Sequence, residues 1–262
     1  IDLRRPPPHD DPKTSTNRQT AKTPNRQIVW PLLAAFALGL LAPTLLHAQS
    51  EPTTTAETTS DPFRGDPEAV RVANLVYGPG KTSVCYADKF LKTAADETHI
   101  KTTLDFAKIR LESSELFDHP FSVMTGEGGF ALTDAQRDNL KLYLDSGGFV
   151  IASAGCSSKP WAAAFRDEIA KVFPNHQLEV LDETHAVFTN VFDVRKSTYK
   201  RGAARLPHLE ALTLDGRVAL IFSPDGINDT ANAGKGCCCC GGNELRQAQH
   251  LNVNILAYAL TH

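Results

Sequence analysis

From Val70 onward, short apolar runs alternate with segments whose apolar residues recur at helical spacing. "VRVANLVYG", Val70 to Gly78, has the β-branched, apolar character of a strand. The next segment, Ser83–Glu97, places Tyr86, Phe90, Leu91 and Ala94 on one face and offers Ser83 as an N-cap, which predicts a helix. A weaker strand is expected near Thr102–Phe106. "FSVMTG", Phe121 to Gly126, predicts a short buried strand running into the Gly-rich turn "GEGGF".

The clearest helix follows. Thr133 and Gln136 have capping-box spacing, Leu140, Tyr143 and Leu144 form the apolar stripe, and Gly147–Gly148 stop it. "FVIASAG", Phe149 to Gly155, is apolar without alternation, as expected of a strand covered on both faces in a parallel sheet. A further helix is predicted from Trp161, Phe165, Ile169 and Val172, with Pro174 beyond its end. "LEALTLDGRVALIFS" reads as a hairpin turning at Asp215–Gly216 into a buried strand, Arg217–Ser223. A last helix, from near Asn243 to the C-terminus, turns Leu251, Ile255 and Tyr258 inward. Strands alternating with helices imply an α/β fold: three layers around a mainly parallel sheet.

The first part of the chain follows different rules. Residues 1–27 are polar and carry Arg4, Arg5, Lys13, Arg18, Lys22 and Arg26, and Ile28–Ala48 is apolar and free of formal charge. A basic lead, an apolar run and a small residue at its end predict a signal peptide over residues 1–48, cleaved after Ala48. The competing reading is an uncleaved anchor, because about 20 apolar residues can span a bilayer. Residues 49–67, rich in Thr, Ser, Glu and Pro, lack apolar periodicity and read as a disordered tether. Residues 68–262 remain as one domain of a size that supports a core. Export, with the periplasm as the destination, is the expected location. A net charge of -3 over 262 residues gives no reason to expect a nucleic-acid partner, which usually needs a strongly basic face. Any membrane contact runs through the uncleaved segment alone, and the sequence names no other partner.

Several segments together resemble a known family. "VRVANLVYG", "ELFDHPFSVMTGEGGFALTDAQRDNLKLYLDSGGFVIAS", "FRDEIAKVFP", "LDGRVALIFSPDGIND" and "HLNVNILAYAL" are similar to the bacterial domain of unknown function 4159, over roughly residues 68 to 262. The resemblance implies a flavodoxin-like, class I glutamine-amidotransferase-like sheet related to trehalose-utilization-type domains. It implies no established activity. The family often carries a cysteine after the strand that ends here in Phe222-Ser223-Pro224, and a run of four departs from that pattern.

That run is "GKGCCCCGG", Gly234 to Gly242. Ligands of open α/β sheets bind beyond the carboxyl ends of the strands. Cys85 follows the first predicted strand, Cys156 follows the apolar strand Phe149–Ala154, and Cys237, Cys238, Cys239 and Cys240 follow Arg217–Ser223. If those strands are parallel, all six cysteines converge on one edge. Thiolates there suit copper(I), zinc(II) or an iron–sulfur centre, with flanking glycines letting the loop fold tightly. An exported protein bound to a soft metal through these six cysteines is the leading expectation.

Two alternatives stand beside it. An exported chain with six cysteines can instead hold structural disulfides, in any of 15 pairings, as a non-catalytic binding or assembly module. The amidotransferase-like fold that the resemblance implies places its nucleophile after a central strand, and Cys156 in "ASAGCSS" sits near that point, which gives a cysteine hydrolase as the other alternative. That reading lacks a glycine after the nucleophile and a late His–Glu pair. Glu127, His185, Asp225, Asn228 and Asp229 carry weaker signals: an acid or ligand at Glu127, a surface group at His185, and turn formers or hard-cation ligands in "SPDGINDT".

Overall fold

A computed structural model describes residues 61–78, 85–234, 237 and 242–262. The predicted signal peptide and residues 49–60 of the predicted tether lie outside the described residues. No helix among the described residues is long and apolar enough to cross a membrane.

The apolar runs form strands: β1 Val72–Val76, β2 Ala107–Arg110, β3 Phe121–Gly126, β4 Phe149–Ala154, β5 Glu179–Val180, β6 Glu210–Leu214 and β7 Arg217–Ser223. The helical patterns form α1 Lys89–Glu97, α2 Asp134–Asp145, α3 Lys159–Val172 and α4 Ala248–Thr261. One seven-stranded sheet runs in the order β2-β1-β3-β4-β7-β6-β5. The first five strands are mutually parallel, and β6 and β5 add an antiparallel margin. The fold is mixed α/β with a mostly parallel sheet.

Alternating residues of each strand enter different cores, the consequence of the two-residue period of a strand. Ala73, Leu75, Met124, Val150 and Ala152 join Leu140 and Leu144 of α2 and Trp161 and Phe165 of α3. Val72, Val123, Ile151 and Ile221 join Phe90 and Leu91 of α1 and Leu251 and Ile255 of α4. Every residue of β3 and β4 is buried, which is why these strands read as unbroken apolar runs.

Helix α2 starts as its sequence requires. The Thr133 hydroxyl accepts from Gln136 N and the Gln136 side chain accepts from Thr133 N, a complete capping box. Gly148 closes its end against the Tyr143 ring, where a Cβ would collide.

Three expected boundaries move, each for a reason in the backbone. Helix α1 begins at Lys89, because Cys85 takes a left-handed conformation (φ 56°) that no helix accommodates; Ser83 lies outside the described residues. Strand β2 forms at 107–110 instead of 102–106. Thr102 makes a single parallel bridge to Val70, through Val70 N to Lys101 O and Thr103 N to Val70 O. The chain then bends at residues 104–105 with Leu104 N held by the Asp61 carboxylate, and Ile109 pairs with Leu75 further on. Helix α4 begins at Ala248 instead of Asn243, since Leu245 N bonds Gly226 O and Arg246 N bonds Thr198 O. Residues 61–67 form turns, tied down by the Arg64–Asp105 and Lys101–Asp66 ion pairs.

Candidate functional site

Because β1, β3, β4 and β7 are parallel, the loops that follow them leave from one edge of the sheet. Those loops carry Cys85, Glu127, Cys156 and Cys237. The structure joins two of the expected cysteines directly: Cys85 and Cys237, 152 residues apart, form a disulfide with Cα atoms 5.2 Å apart. Cys156 is also disulfide-bonded. Cys238, Cys239 and Cys240 lie outside the described residues. Among the described residues no group of three or more histidine, cysteine or carboxylate side chains is placed to hold a metal ion.

The backbone at this edge is held away from ordinary conformations. Among the described residues, five non-glycine residues have positive φ: Cys85, Cys156, Ser157, Asp215 and Asp229. Asp215 serves the β6–β7 turn. The other four lie in loops of the cysteine edge, at a cost of about 1 kcal/mol each for an L-residue. Such conformations persist only where surrounding contacts impose them, and here these contacts can be named.

Asn228 is the main brace. Its amide donates to Thr125 Oγ1 of β3 (2.7 Å), its side-chain oxygen accepts from the Ser153 hydroxyl of β4, and its carbonyl accepts from Ala87 N, two residues after Cys85 (2.9 Å). Ile227 N donates to Ser153 Oγ (2.9 Å). Gly226, at φ 88°, passes so close to Ala154 O that a Cβ would lie 2.7 Å from it. Ser157 Oγ donates to Asp225 O (2.6 Å), and the Asp225 carboxylate accepts from Tyr199 and Arg205. The "SPDGINDT" segment is thus a set of loop braces, the turn-forming role expected of it.

Cys156 sits beyond central strand β4, with Ser158 capping α3 through Trp161 N. Its sulfur lies 3.2 Å from Glu127 Oε1, so Glu127, from the Gly-rich turn after β3, belongs to the site. Its backbone N–H donates to Glu244 Oε1 (3.1 Å). Glu244 is buried, and its other oxygen accepts from Lys200 Nζ (2.9 Å) and the Thr230 hydroxyl (2.6 Å). Gly242 abuts the Cys156 carbonyl, where any Cβ would overlap it. Sequence reasoning missed Glu244, Lys200 and Thr230. A glutamate two residues beyond a Gly-Gly pair carries no local signal of burial; only the partners from two other loops reveal it.

Asp229 is buried, and its carboxyl is raised above the ordinary 3.8 by burial, opposed by hydrogen bonds from Asn232. His185 caps the short turn Ala186–Phe188 by accepting from Val187 N, and burial lowers it below 6.5 against the pull of Asp182. It is neither the free surface group the sequence suggested nor part of the cysteine edge. Cys85, Cys156 and Cys237 are part-buried, and all three are disulfide-bonded.

The family described as Domain of unknown function (DUF4159) matches residues 71–260, nearly three-quarters of the chain. The chain belongs to that family, as its segments suggested. No curated protein matches the chain.

Proposed function

We propose that this protein acts through the cysteines at the carboxyl edge of its sheet, as an exported module whose Cys85–Cys237 disulfide opens and closes by exchange with an external dithiol. The carrying observation is the bond itself, which links two separate strand-end loops at the edge where α/β sheets place their ligands. In the exchange, a partner thiolate attacks one sulfur of the bond, a mixed disulfide forms, and the other cysteine leaves as a thiolate that takes up a proton. The partner's second thiol then attacks the mixed disulfide, leaving the partner oxidised and Cys85 and Cys237 reduced. The part exposure of Cys85 and Cys237 supports access by a partner, and a run of four cysteines supplies alternative attacking sulfurs that a static staple does not need.

The strand order supports a flavodoxin-like, amidotransferase-like three-layer arrangement: β2-β1-β3-β4-β7 is the 2-1-3-4-5 order, with Cys85 and Glu127 flanking its β1/β3 switch point. Export rests on the apolar run Ile28–Ala48 and agrees with a chain that keeps disulfides. Hydrolysis by Cys156 is disfavoured, since a bonded sulfur is no nucleophile.

A second reading keeps the soft metal. Reduced, Cys237, Cys238, Cys239 and Cys240 with Cys85 and Cys156 make a thiolate set for copper(I), zinc(II) or an iron–sulfur cluster. The run is held at both ends, Cys237 by Cys85 and Gly242 against Cys156, and this favours it.

One experiment separates the readings: thiol titration and elemental analysis of the purified protein before and after mild reduction under native conditions. Exchange predicts metal-free protein that gains titratable thiols while folded and passes the oxidation to an added dithiol. Stoichiometric metal that disappears when the run is changed to serine moves the assignment to the second reading. A bond that resists reduction until the protein unfolds overturns exchange and leaves a staple.

A further inference from the structure

Four consecutive cysteines pose a problem of register. Cys85 can close a ring with any of Cys237–Cys240, and loops of 152 to 155 residues differ in closure probability by only about 3%. Chain statistics therefore do not choose the partner, yet the bond falls on Cys237.

We propose that Glu244 is the positioning residue that sets this register, an inference that rests on the disulfide reading above. Glu244 docks the end of the loop onto Cys156: its Oε1 accepts the Cys156 N–H (3.1 Å), while Lys200 (2.9 Å) and Thr230 (2.6 Å) hold its other oxygen. Gly242, two residues past the run, lies against the Cys156 carbonyl with no room for a Cβ. The backbone around Glu244 is zipped to other loops by Lys200 N to Glu244 O (3.0 Å) and Arg246 N to Thr198 O (2.8 Å). A slip of one residue would put Asn243, one methylene shorter, or Leu245, with no side-chain acceptor, where Glu244 stands. The slip that installs Asn243 in the Gly242 position also drives a Cβ into Cys156.

The test refolds the reduced full chain in a buffer of a small disulfide and its thiol. Each protein disulfide forms as two cysteine thiols pass two electrons and two protons to one small disulfide, releasing two small thiols. Pairing is then mapped by fragmenting the crosslinked tryptic peptides that carry Cys85 (Thr82–Lys89), Cys156 and the run (Gly236–Arg246) in a mass spectrometer, so that the bond to Cys156 is assigned together with the bond to Cys85. Wild type is expected to give Cys85–Cys237 as the main product. Glu244→Gln retains an acceptor of the same reach and is expected to keep it. Glu244→Ala and Gly242→Ala are expected to spread the pairing of Cys85 toward the share of about one in four that equivalent cysteines would take. A merely structural role lowers the melting temperature without redistributing the pairing. If Glu244→Ala yields no folded protein, Glu244→Asp, which keeps the charge and withdraws the carboxylate by one methylene from the Cys156 N–H, decides in its place. Unchanged pairing in the variants that fold overturns the proposal. Wild type with Cys85 and Cys237 both free instead overturns the disulfide reading on which it rests.

Discussion

Asp229 shows how one side chain near the site spends stability. Its carboxyl is buried, and burial raises it above its ordinary 3.8, so the ionised form is penalised in the fold. A raised folded value means the contribution to stability is full below the unfolded value and is lost as pH rises through the folded one. Asp229→Asn removes the penalty, and asparagine tolerates the left-handed conformation at φ 53°. The variant is expected to be more stable than wild type at neutral pH, on the order of 1 kcal/mol, with the gap closing as pH falls below 3.8. Urea titrations at several pH values check it; equal stability at pH 7 would show that the Asn232 amide already offsets the burial. At this scale the sequence marked the cysteines and Glu127, because sulfur and carboxylate chemistry is intrinsic to a residue type. It left Glu244 unmarked, because a buried carboxylate is defined by its partners.

Between elements, α2 and α3 are joined through Glu168, whose buried carboxylate takes Arg137 (2.8 Å) and Lys171 (2.7 Å). Burial raises its carboxyl, but the two cations and a backbone donor at Leu132 outweigh it, so the group is held below the ordinary 4.5. A lowered folded value gives stability that is present above 4.5 and lost as pH falls through the folded value. Glu168→Ala is expected to cost about 3 kcal/mol at neutral pH, and the difference from wild type should shrink in acid. A variant equally destabilised at every pH would show that lost packing, not the ion pairs, is responsible. Helix α2 was legible from its capping box and stripe, and β3 and β4 from their unbroken apolar runs. Helix α1 and α4 were placed too early. Their apolar spacing extends upstream of where the backbone, at Cys85 and at Leu245–Arg246, has been taken by loop conformations and inter-loop hydrogen bonds.

For the whole molecule, the Cys85–Cys237 bond closes a ring of 152 residues, most of the folded part. Chain-entropy reasoning puts the constraint on the unfolded state near an upper bound of about 5 kcal/mol, and disulfides typically deliver about 2–4 kcal/mol. Cys85→Ser is therefore expected to lower the stability of the oxidised protein by about 2–4 kcal/mol and to leave the reduced protein nearly unchanged. Denaturation with and without reductant measures both. An equal loss under reducing conditions would trace the effect to the strained loop at Cys85 instead of to the bond. The two cores flanking the sheet are large and apolar, so the fold is expected to survive reduction, as the proposed exchange requires.

The sequence by itself determined the alternation of strands and helices, the burial of β3 and β4, the cap of α2, the family, and the placing of Cys85, Cys156 and Cys237 after strands. These are local properties: periodicity, turn chemistry and residue type act over a few positions of chain. The tertiary structure alone decided that those strands are parallel neighbours, that Cys85 meets Cys237, and that Glu127 and Glu244 belong with Cys156. Such juxtapositions depend on strand order and on hydrogen bonds between loops far apart in the chain, 88 residues in the Glu244–Cys156 contact, and no short window of sequence contains both partners.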